Sequence, residues 1–150
     1  MDRAELNDVR LLAQFSQVLR TAIDASVDQV GMHRGQAMLL CQVAKQDGMT
    51  QSELAQALSV QGATITNLLK RMEDTGMVVR RRDDEDNRLV RVYITDDGRQ
   101  REVAITEQFE QLIQQMFAGL CDEEYTAFRR TIGQLMSNLE TFQIDQDCDS

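Results

Sequence analysis

With 150 residues, 42% of them hydrophobic, the chain is long enough for one domain with a hydrophobic core, and this excludes wholesale disorder. Its formal net charge of -9 argues against indiscriminate binding to polyanions, but ten of its 25 acidic residues lie in residues 102–150, so a basic surface elsewhere stays open. No apolar run approaches the roughly 18 residues of a membrane span, and the N-terminus is polar and acidic, so we expect a cytoplasmic protein without a membrane partner.

Two amphipathic helices are predicted at the start of the chain. Apolar residues recur every three or four positions over residues 4–29, which is the spacing of one helix face, and Gly31 follows as a stop. A second helix is predicted over residues 34–46 and ends at Asp47 and Gly48. Its inward side chains are expected to be Ala37, Leu40, Cys41 and Ala44.

The next two helices are short and joined by a tight turn. Thr50 followed three residues later by Glu53 is a capping box, in which the side chain of each residue satisfies a backbone amide of the other. We predict helices over residues 51–58 and 61–75, the second ending at a left-handed Gly76. The pair is a helix-turn-helix candidate. The buried side of its second helix is predicted to contain Ile65, Leu68, Leu69 and Met72.

A β-hairpin follows the helix-turn-helix. The runs "MVVRR" and "LVRVYIT" are rich in β-branched residues and flank a polar tip. The second run alternates between two faces, one with Val90, Val92 and Ile94 and the other with Arg91 and Tyr93. A helix-turn-helix followed directly by a hairpin is a winged helix.

Two long helices come last. Thr95 is the expected N-cap of the first, with Asp96 and Asp97 in its first turn, and this helix ends near Phe117. The final helix starts at "CDEEY", and its apolar stripe contains Phe128, Ile132, Leu135, Met136, Leu139 and Phe142. The terminal helices carry more apolar surface than a compact centre covers, and this predicts pairing with a second subunit.

The second helix of the helix-turn-helix presents a polar face opposite its apolar one. In a winged helix this element enters the major groove, where small N-terminal residues allow deep docking and helix amides favour a phosphate. Asn and Gln side chains pair with adenine, and threonine hydroxyls suit bases or phosphates. We predict DNA contacts by Gln61, Gly62, Ala63, Thr64, Thr66, Asn67, Lys70 and Arg71. A solvated helix face is an equally good interpretation of these residues alone.

Two pieces of residues 49–98 are distinctive, namely "ATITNLLKRMEDTGMVVR" and a wing pattern of Asp86, Arg88 and "VYIT". With them, this stretch resembles the core of the MarR family of bacterial transcription regulators. The motifs cover about a third of the chain, and the outer helices match the family's layout in length and position. The resemblance implies a triangular homodimer, held by the first and the last two helices, that binds pseudo-palindromic operator DNA.

The resemblance also implies roles at the tip of the hairpin. Arg88 would reach into the minor groove, and Asp86 would brace the wing and that guanidinium. A narrow groove has a strongly negative potential that attracts an inserted guanidinium, and a nearby carboxylate lowers the entropic cost of ordering it. Asp83, Asp84 and Glu85 are expected to solvate the tip and discourage indiscriminate binding. A charged turn without any role in binding is the plainer alternative.

Three arginines precede the tip and alternate along their strand. Arg80 and Arg82 therefore face one way and Arg81 the other, so that all three cannot face phosphates. We predict that Arg82, the nearest to the tip, contacts DNA. A salt bridge from Arg82 to the wing carboxylates is an equal alternative.

A small effector is a further expected partner, since the family often takes aromatic or anionic ligands between its dimerisation and DNA-binding parts. The candidate ligand-binding residues are Arg10, Arg20, His33 and Arg34. The arginines would supply positive charge. Interface salt bridges for the arginines, and a surface or capping role for the histidine, are the competing interpretations.

The cysteines Cys41, Cys121 and Cys148 are odd in number and widely spaced, and His33 is the single histidine. The pattern predicts neither a disulfide framework nor a metal site, and we expect no cofactor. Cys41 is expected to be a small core residue, and Cys121 stands next to the start of the last helix, a position where reactive thiols occur. The family's organic-peroxide sensors carry their reactive cysteine in the first helix, and this chain has none there. Whether any of the three is redox-active stays open.

The predicted fold class is mainly α with a small β-hairpin wing, a winged helix-turn-helix flanked by N- and C-terminal dimerisation helices. Residues 1–33 are assigned to the N-terminal dimerisation helix, 34–98 to the DNA-binding domain and 99–150 to the C-terminal dimerisation helices, within one compact domain overall. The predicted function is that of a sequence-specific, ligand-responsive repressor that binds double-stranded, pseudo-palindromic operator DNA as a homodimer. It is not expected to be an enzyme. The alternatives are a redox-responsive repressor and a winged-helix protein interaction module without DNA binding.

Overall fold

Six helices and three short strands make up the part of the chain that the computed structural model describes, residues 3–148, with side chains described for residues 6–142. The helices are α1 (Arg3–Asp28), α2 (Arg34–Lys45), α3 (Gln51–Ala57), α4 (Gly62–Asp74), α5 (Asp96–Met116) and α6 (Asp122–Cys148). The strands are β1 (Met49–Thr50), β2 (Val78–Arg82) and β3 (Val90–Ile94). Every predicted helix is present, as is the hairpin, so the predicted fold class is confirmed.

The strands form one antiparallel sheet in the order β1-β3-β2. We call residues 78–94, which contain β2, β3 and their connection, the wing, and residues 83–89 the wing tip. Strand β1 adds to the far edge of β3, where Met49 lies opposite Val92. This strand was not predicted, because two residues are too few to show the alternation that identifies a strand. It ties the turn after α2 to the base of the wing.

One core of apolar side chains joins the sheet to helices α1, α2, α3, α4 and α5. Its members are Val27, Met32, Ala37, Leu39, Leu40, Val43, Met49, Leu54, Ile65, Leu69, Met72, Val78, Val92, Ile94 and Ile105. The predicted inward face of α2 is too narrow, since Leu39 and Val43 are also fully buried, whereas Cys41 and Ala44 are partly buried. The reason is that α2 contacts α1, α3, α4 and β3, so a single stripe does not describe its burial.

Capping interactions set the ends of α3 and α4 as predicted. The Thr50 hydroxyl accepts a hydrogen bond from the Glu53 amide at 3.3 Å, and the Thr50 amide donates to the Glu53 carboxylate at 2.7 Å. After α4, Gly76 has a φ of +74°, and the Met77 amide donates to the Met72 carbonyl at 2.9 Å. This left-handed conformation favours glycine. It turns the chain directly from α4 into β2.

Helix α5 starts against the end of α4. Thr95 caps it as predicted, because its hydroxyl accepts from the Gly98 amide at 3.0 Å and donates to the Gly76 carbonyl at 2.6 Å. Gly98 is buried, and a Cβ at that position would lie 2.1 Å from the Met77 carbonyl oxygen. The junction of α5 with the wing therefore requires a residue without a side chain.

Internal contacts divide the chain into two compact units, Met1–Leu112 and Ile113–Ser150. In the second unit, Phe117 packs edge-on against Tyr125 and Phe128, with ring centroids 4.7 and 5.1 Å apart. The division by function at residues 33 and 98 stays a prediction. None of the helices in the described part of the chain is long and apolar enough to cross a membrane.

We expect Gly98→Ala to destabilise the fold by about 1–3 kcal/mol, the usual cost of forcing an extra methyl group into a packed site. Alanine otherwise favours a helix interior over glycine by about 1 kcal/mol, so a loss of stability reports the steric clash. Gly133→Ala in α6 is the matched control, because a Cβ there meets nothing within 4 Å. Urea unfolding at one protein concentration compares the variants. Equal midpoints for wild type and Gly98→Ala would contradict the close approach.

Candidate nucleic-acid interface

The two faces of α4 differ completely in exposure. Ile65, Leu69 and Met72 are fully buried, and Leu68 is partly buried beside them. The eight residues predicted to contact DNA are all exposed, namely Gln61, Gly62, Ala63, Thr64, Thr66, Asn67, Lys70 and Arg71. A helix repeat of 3.6 residues separates the two sets. The first amides of α4 have no intrahelical acceptor, so the start of the helix offers donors toward the same exposed side.

Thr66 differs from its neighbours on this face. Its hydroxyl donates to the Gly62 carbonyl at 2.8 Å and accepts from the Gln51 side-chain amide at 2.6 Å. Because a hydroxyl has one proton to donate, Thr66 has no donor left for DNA in this conformation. Its hydroxyl instead joins α3 to α4.

Asp83 organises the wing tip. One carboxylate oxygen accepts from the amides of Glu85 and Asp86 at 2.9 and 2.8 Å, and the other accepts from the Arg91 guanidinium. The expectation that Asp83 merely solvates the tip is therefore wrong. An aspartate that accepts amides two and three residues ahead forms a local turn, so the signal was present in the sequence. Asp84 is exposed, as expected.

The same contacts perturb the Asp83 carboxyl. The hydrogen bond from Arg91, followed by those from the amides of Asp86 and Glu85, lowers the pKa of Asp83 to about 2. Its side chain is 13% exposed. Asp83 is therefore ionised at neutral and mildly acidic pH, and the wing tip keeps its acceptor.

Asp86 and Arg88 lie together, as the resemblance implied. Asp86 Oδ1 accepts from the Arg88 amide at 3.0 Å and lies 3.7 Å from Arg88 Nε. The Arg88 side chain is 94% exposed. The Arg88 guanidinium therefore projects from the tip. Its charge is close to the Asp86 carboxylate, but its donors are free for another partner.

The three arginines of β2 have different surroundings. Arg80 binds the Glu73 carboxylate of α4, with Nε at 2.9 Å. Arg81 lies over the Tyr93 ring, 5.6 Å from its centroid. Arg82 is exposed and forms no ion pair among the described side chains. The alternative of a salt bridge from Arg82 to the wing carboxylates is not seen, and its contact with DNA stays a prediction.

The candidate effector residues do not form one site. Arg34 binds Asp24 of its own chain at 2.9 and 3.1 Å, so its charge is partly neutralised. Arg20 and Arg34 both line an open surface groove of about 280 Å³, which is completed by Ser16, Leu19 and Ile23. Arg10 is exposed on α1, about 15 Å away from Arg20 along the helix. His33 is the exposed N-cap residue of α2, and its amide donates to the Gln36 side chain at 3.1 Å.

The two cysteines whose side chains are described have different surroundings. Cys41 is half-buried, and its burial, together with the negative charge of Glu102, raises the pKa of the thiol to about 11. Cys121 is exposed at the start of α6, where its amide donates to Glu124 at 2.8 Å. The Cys148 side chain lies outside the described residues. Among the residues that are described, no three His, Cys, Asp or Glu side chains are grouped to hold a metal ion.

Comparison with known sequences identifies the family. A family model described as "MarR family" matches residues 32–90. The uncharacterized HTH-type transcriptional regulator YdgJ of Bacillus subtilis is 30% identical over 113 residues, which are 75% of this chain and 69% of that protein. The organic hydroperoxide resistance transcriptional regulator of Bacillus subtilis is 31% identical over 72 residues, 48% of this chain and 49% of its own.

Solved structures of similar proteins have the same fold as this chain. The crystal structure of the S. aureus MepR–DNA complex has a TM-score of 0.75 and 26% identity, covering 86% of this chain and 94% of that chain. A MarR protein from Peptoclostridium difficile has the same fold, with a TM-score of 0.79, 23% identity, and coverage of 90% of this chain and 88% of that one. Members of the family are transcriptional regulators, so the prediction that the chain is not an enzyme is confirmed. The chain belongs to the MarR family of winged helix-turn-helix transcriptional regulators.

Proposed function

We propose that this regulator is a homodimeric repressor that binds pseudo-palindromic, double-stranded operator DNA and is released by a small ligand. The observation that carries the proposal is the exposed guanidinium of Arg88 at the wing tip, beside an α4 whose outward face is polar. The relative MepR, which has been solved in complex with DNA, supports it.

Helix α4 is suited to the major groove. Gly62 and Ala63 leave room at its start for close approach to a phosphate, which the helix amides attract. Gln61 and Asn67 carry the amide groups that pair with adenine edges. Lys70 and Arg71, further along the same exposed face, suit phosphates on either side of the groove.

The wing suits the neighbouring minor groove. Arg88 lies at the end of an extended hairpin, and its side chain is almost fully exposed. The narrow minor groove concentrates negative potential and therefore favours an inserted guanidinium over a hydrated one. Asp86, half-exposed beside it, limits the freedom of Arg88 before DNA arrives, and this lowers the ordering cost at binding.

Dimerisation is supported by apolar side chains that the chain itself leaves uncovered. On α1, Leu11, Leu12 and Val18 are 65%, 52% and 61% exposed. On α6, Leu139 and Phe142 are 63% and 59% exposed. Apolar surface of this extent on terminal helices marks an interaction site, and a second copy of the chain is the simplest partner because two-fold pairing repeats the DNA-binding face.

The open groove beside Arg20 is the candidate place for a small effector. Its volume of about 280 Å³ is just below the usual range for a ligand site. Since Arg34 is already paired with Asp24, Arg20 is the better candidate for binding an anionic group. Arg10 and His33 lie outside this lining.

The redox-responsive alternative is not favoured for Cys41, whose raised pKa keeps it as a thiol at neutral pH. The protein interaction module remains the rival from another class. Its support is the same exposed apolar surface of α1 and α6 that favours a dimer. Binding to operator DNA separates the two.

We expect Arg88→Ala to weaken operator binding by at least about tenfold while the dimer persists, because each half-site then has no cation in its minor groove. Asp86→Ala should weaken binding less, since Arg88 remains. Lys70→Ala should lower the salt slope of log affinity by about one unit for each phosphate that is no longer neutralised, with little change in sequence preference. Gel-shift titrations at several salt concentrations on a selected genomic operator measure all three.

Arg130→Ala is the matched control, because it removes an exposed arginine from α6 and leaves the wing intact. It should bind operator like the wild type. Unchanged affinity of Arg88→Ala would remove the wing from the mechanism. Failure of the wild type to bind any double-stranded fragment at low ionic strength would leave the protein interaction module as the better function.

We expect sedimentation to give twice the mass of one chain, and Leu139→Glu to shift the protein toward monomer and weaken operator binding. The charge would be buried against apolar surface in the proposed dimer. Ser137→Glu adds the same charge to the same helix, half a turn away from the apolar stripe, and should leave the dimer intact. A wild type that sediments as one chain, or equal effects of both variants, would contradict the proposed use of α6.

We expect Cys41 to resist alkylation in the folded protein. In a Cys121→Ser/Cys148→Ser variant, the folded chain at pH 8 should react at least about tenfold more slowly than the same chain in guanidinium, because little thiolate forms below a pKa of about 11. The rate should rise steadily as the pH approaches that value. Equal alkylation rates in the folded and unfolded states at pH 8 would make Cys41 a candidate redox sensor again.

A further inference from the structure

We infer that Arg91 is a positioning residue for DNA binding, which holds the wing tip at one angle so that Arg88 meets the minor groove. The inference rests on the proposed function, because it concerns the same wing. Arg91 makes no DNA contact in this account. It acts through Asp83 and the backbone of the tip.

Arg91 bonds to both sides of its strand. It lies in the central strand β3, opposite Thr50 of β1 and Arg81 of β2. Its Nη1 donates to the Gly48 carbonyl at 2.9 Å, in the turn after α2, and its Nε donates to the Asp83 carboxylate at the start of the wing tip. The planar guanidinium donates in both directions at a fixed angle. Arg91 therefore connects the body of the winged helix to its tip.

Asp83 extends the hydrogen bonds of Arg91 toward Arg88. Its second carboxylate oxygen accepts from the amides of Glu85 and Asp86, and Asp86 in turn accepts from the Arg88 amide at 3.0 Å. The path from the Gly48 carbonyl to the Arg88 backbone therefore consists entirely of hydrogen bonds, each made to a charged group on at least one side. Such bonds are stronger than neutral ones.

Apolar packing contributes little at this place. Leu89 and Val90 are 39% and 41% exposed, so the tip extends beyond the core. Val90 shares a face with Val92 as predicted, but is not buried with it. The side chains of Arg91 and Asp83 are 33% and 13% exposed. This pair orders the tip together with two backbone hydrogen bonds, from the Asp83 amide to the Leu89 carbonyl at 3.0 Å and from the Leu89 amide to the Asp86 carbonyl at 2.9 Å. The Arg88 side chain stays exposed to solvent.

Arg99 offers a matched control. It lies in α5 and also bonds to the turn after α2, where its guanidinium lies 3.3 Å from the Asp47 carboxylate. It has no link to the wing tip among the described side chains. A variant that removes this bridge tests whether loss of any arginine bridge to that turn weakens binding.

The test is a double-mutant cycle. Arg91→Met keeps the aliphatic stem and removes the donors. It should weaken operator binding by about tenfold in the wild-type background, within the range of couplings between residues in one network. In the Arg88→Ala background it should weaken binding by less than about twofold, because nothing is left to position. Arg99→Met should bind like the wild type. Gel shifts at low ionic strength keep the weak complexes measurable.

Amide hydrogen exchange of the free protein gives a second readout. Arg91→Met should speed exchange across residues 83–89 and leave α4 unchanged. Arg91→Lys should recover part of the protection, since an ammonium reaches one of the two acceptors.

Three results would overturn the inference. They are wild-type affinity in Arg91→Met, a full tenfold loss that persists without Arg88, and exchange that speeds equally in α4 and in the wing tip. In each case the wild type still binds operator, so the proposed function survives. A wild type that binds no DNA removes both.

Discussion

A single hydrophobic core holds α4 and the strands of the wing in one arrangement, and the proposed interface with DNA depends on that constraint. The buried side of α4, with Ile65 and Met72, packs in the same cluster as Val78 of β2 and Val92 of β3. Neither element can shift relative to the other without opening a closely packed interior, and removing even one large side chain from such an interior costs several kcal/mol. Gly76 permits the close turn from α4 into β2, and Gly98 permits the close approach of α5 to Met77. Helix α4 and the strands of the wing, which we propose to serve the major and the minor groove, are therefore spaced by packing before DNA is present.

Beyond the hydrophobic core, polar contacts order the wing tip. Two of the four acidic residues next to the wing arginines make side-chain contacts within the wing. Asp83 is ionised and engaged by Arg91 and two backbone amides, while Asp86 stays beside Arg88. Shielded acids of this type add little repulsion toward phosphates, because their charge is already matched. The contacts of these acids order the wing tip before DNA binds, and this favours binding by lowering its entropic cost.

Local signals in the sequence were sufficient for the six helices and the hairpin. The Thr50–Glu53 capping box and the left-handed Gly76 depend on neighbours within a few residues, and both were predicted correctly. Contacts between distant residues were not predictable in this way. Arg91 meets the Gly48 carbonyl across 43 positions of the chain. Strand β1 likewise exists only because β3 lies beside it, and the full burial of Leu39 follows from helices on several sides of α2.

The claim that one rigid unit grips two adjacent grooves is tested most directly by footprinting one operator complex with two reagents. Dimethyl sulfate reports guanines in the major groove, and hydroxyl radicals report sugars along the minor groove. We expect each half-site to contain major-groove protection from α4 with minor-groove protection immediately beside it, repeated with two-fold symmetry, and loss of the minor-groove part alone in Arg88→Ala. Protection of one groove only in the wild-type complex, or a footprint without symmetry, would contradict the account.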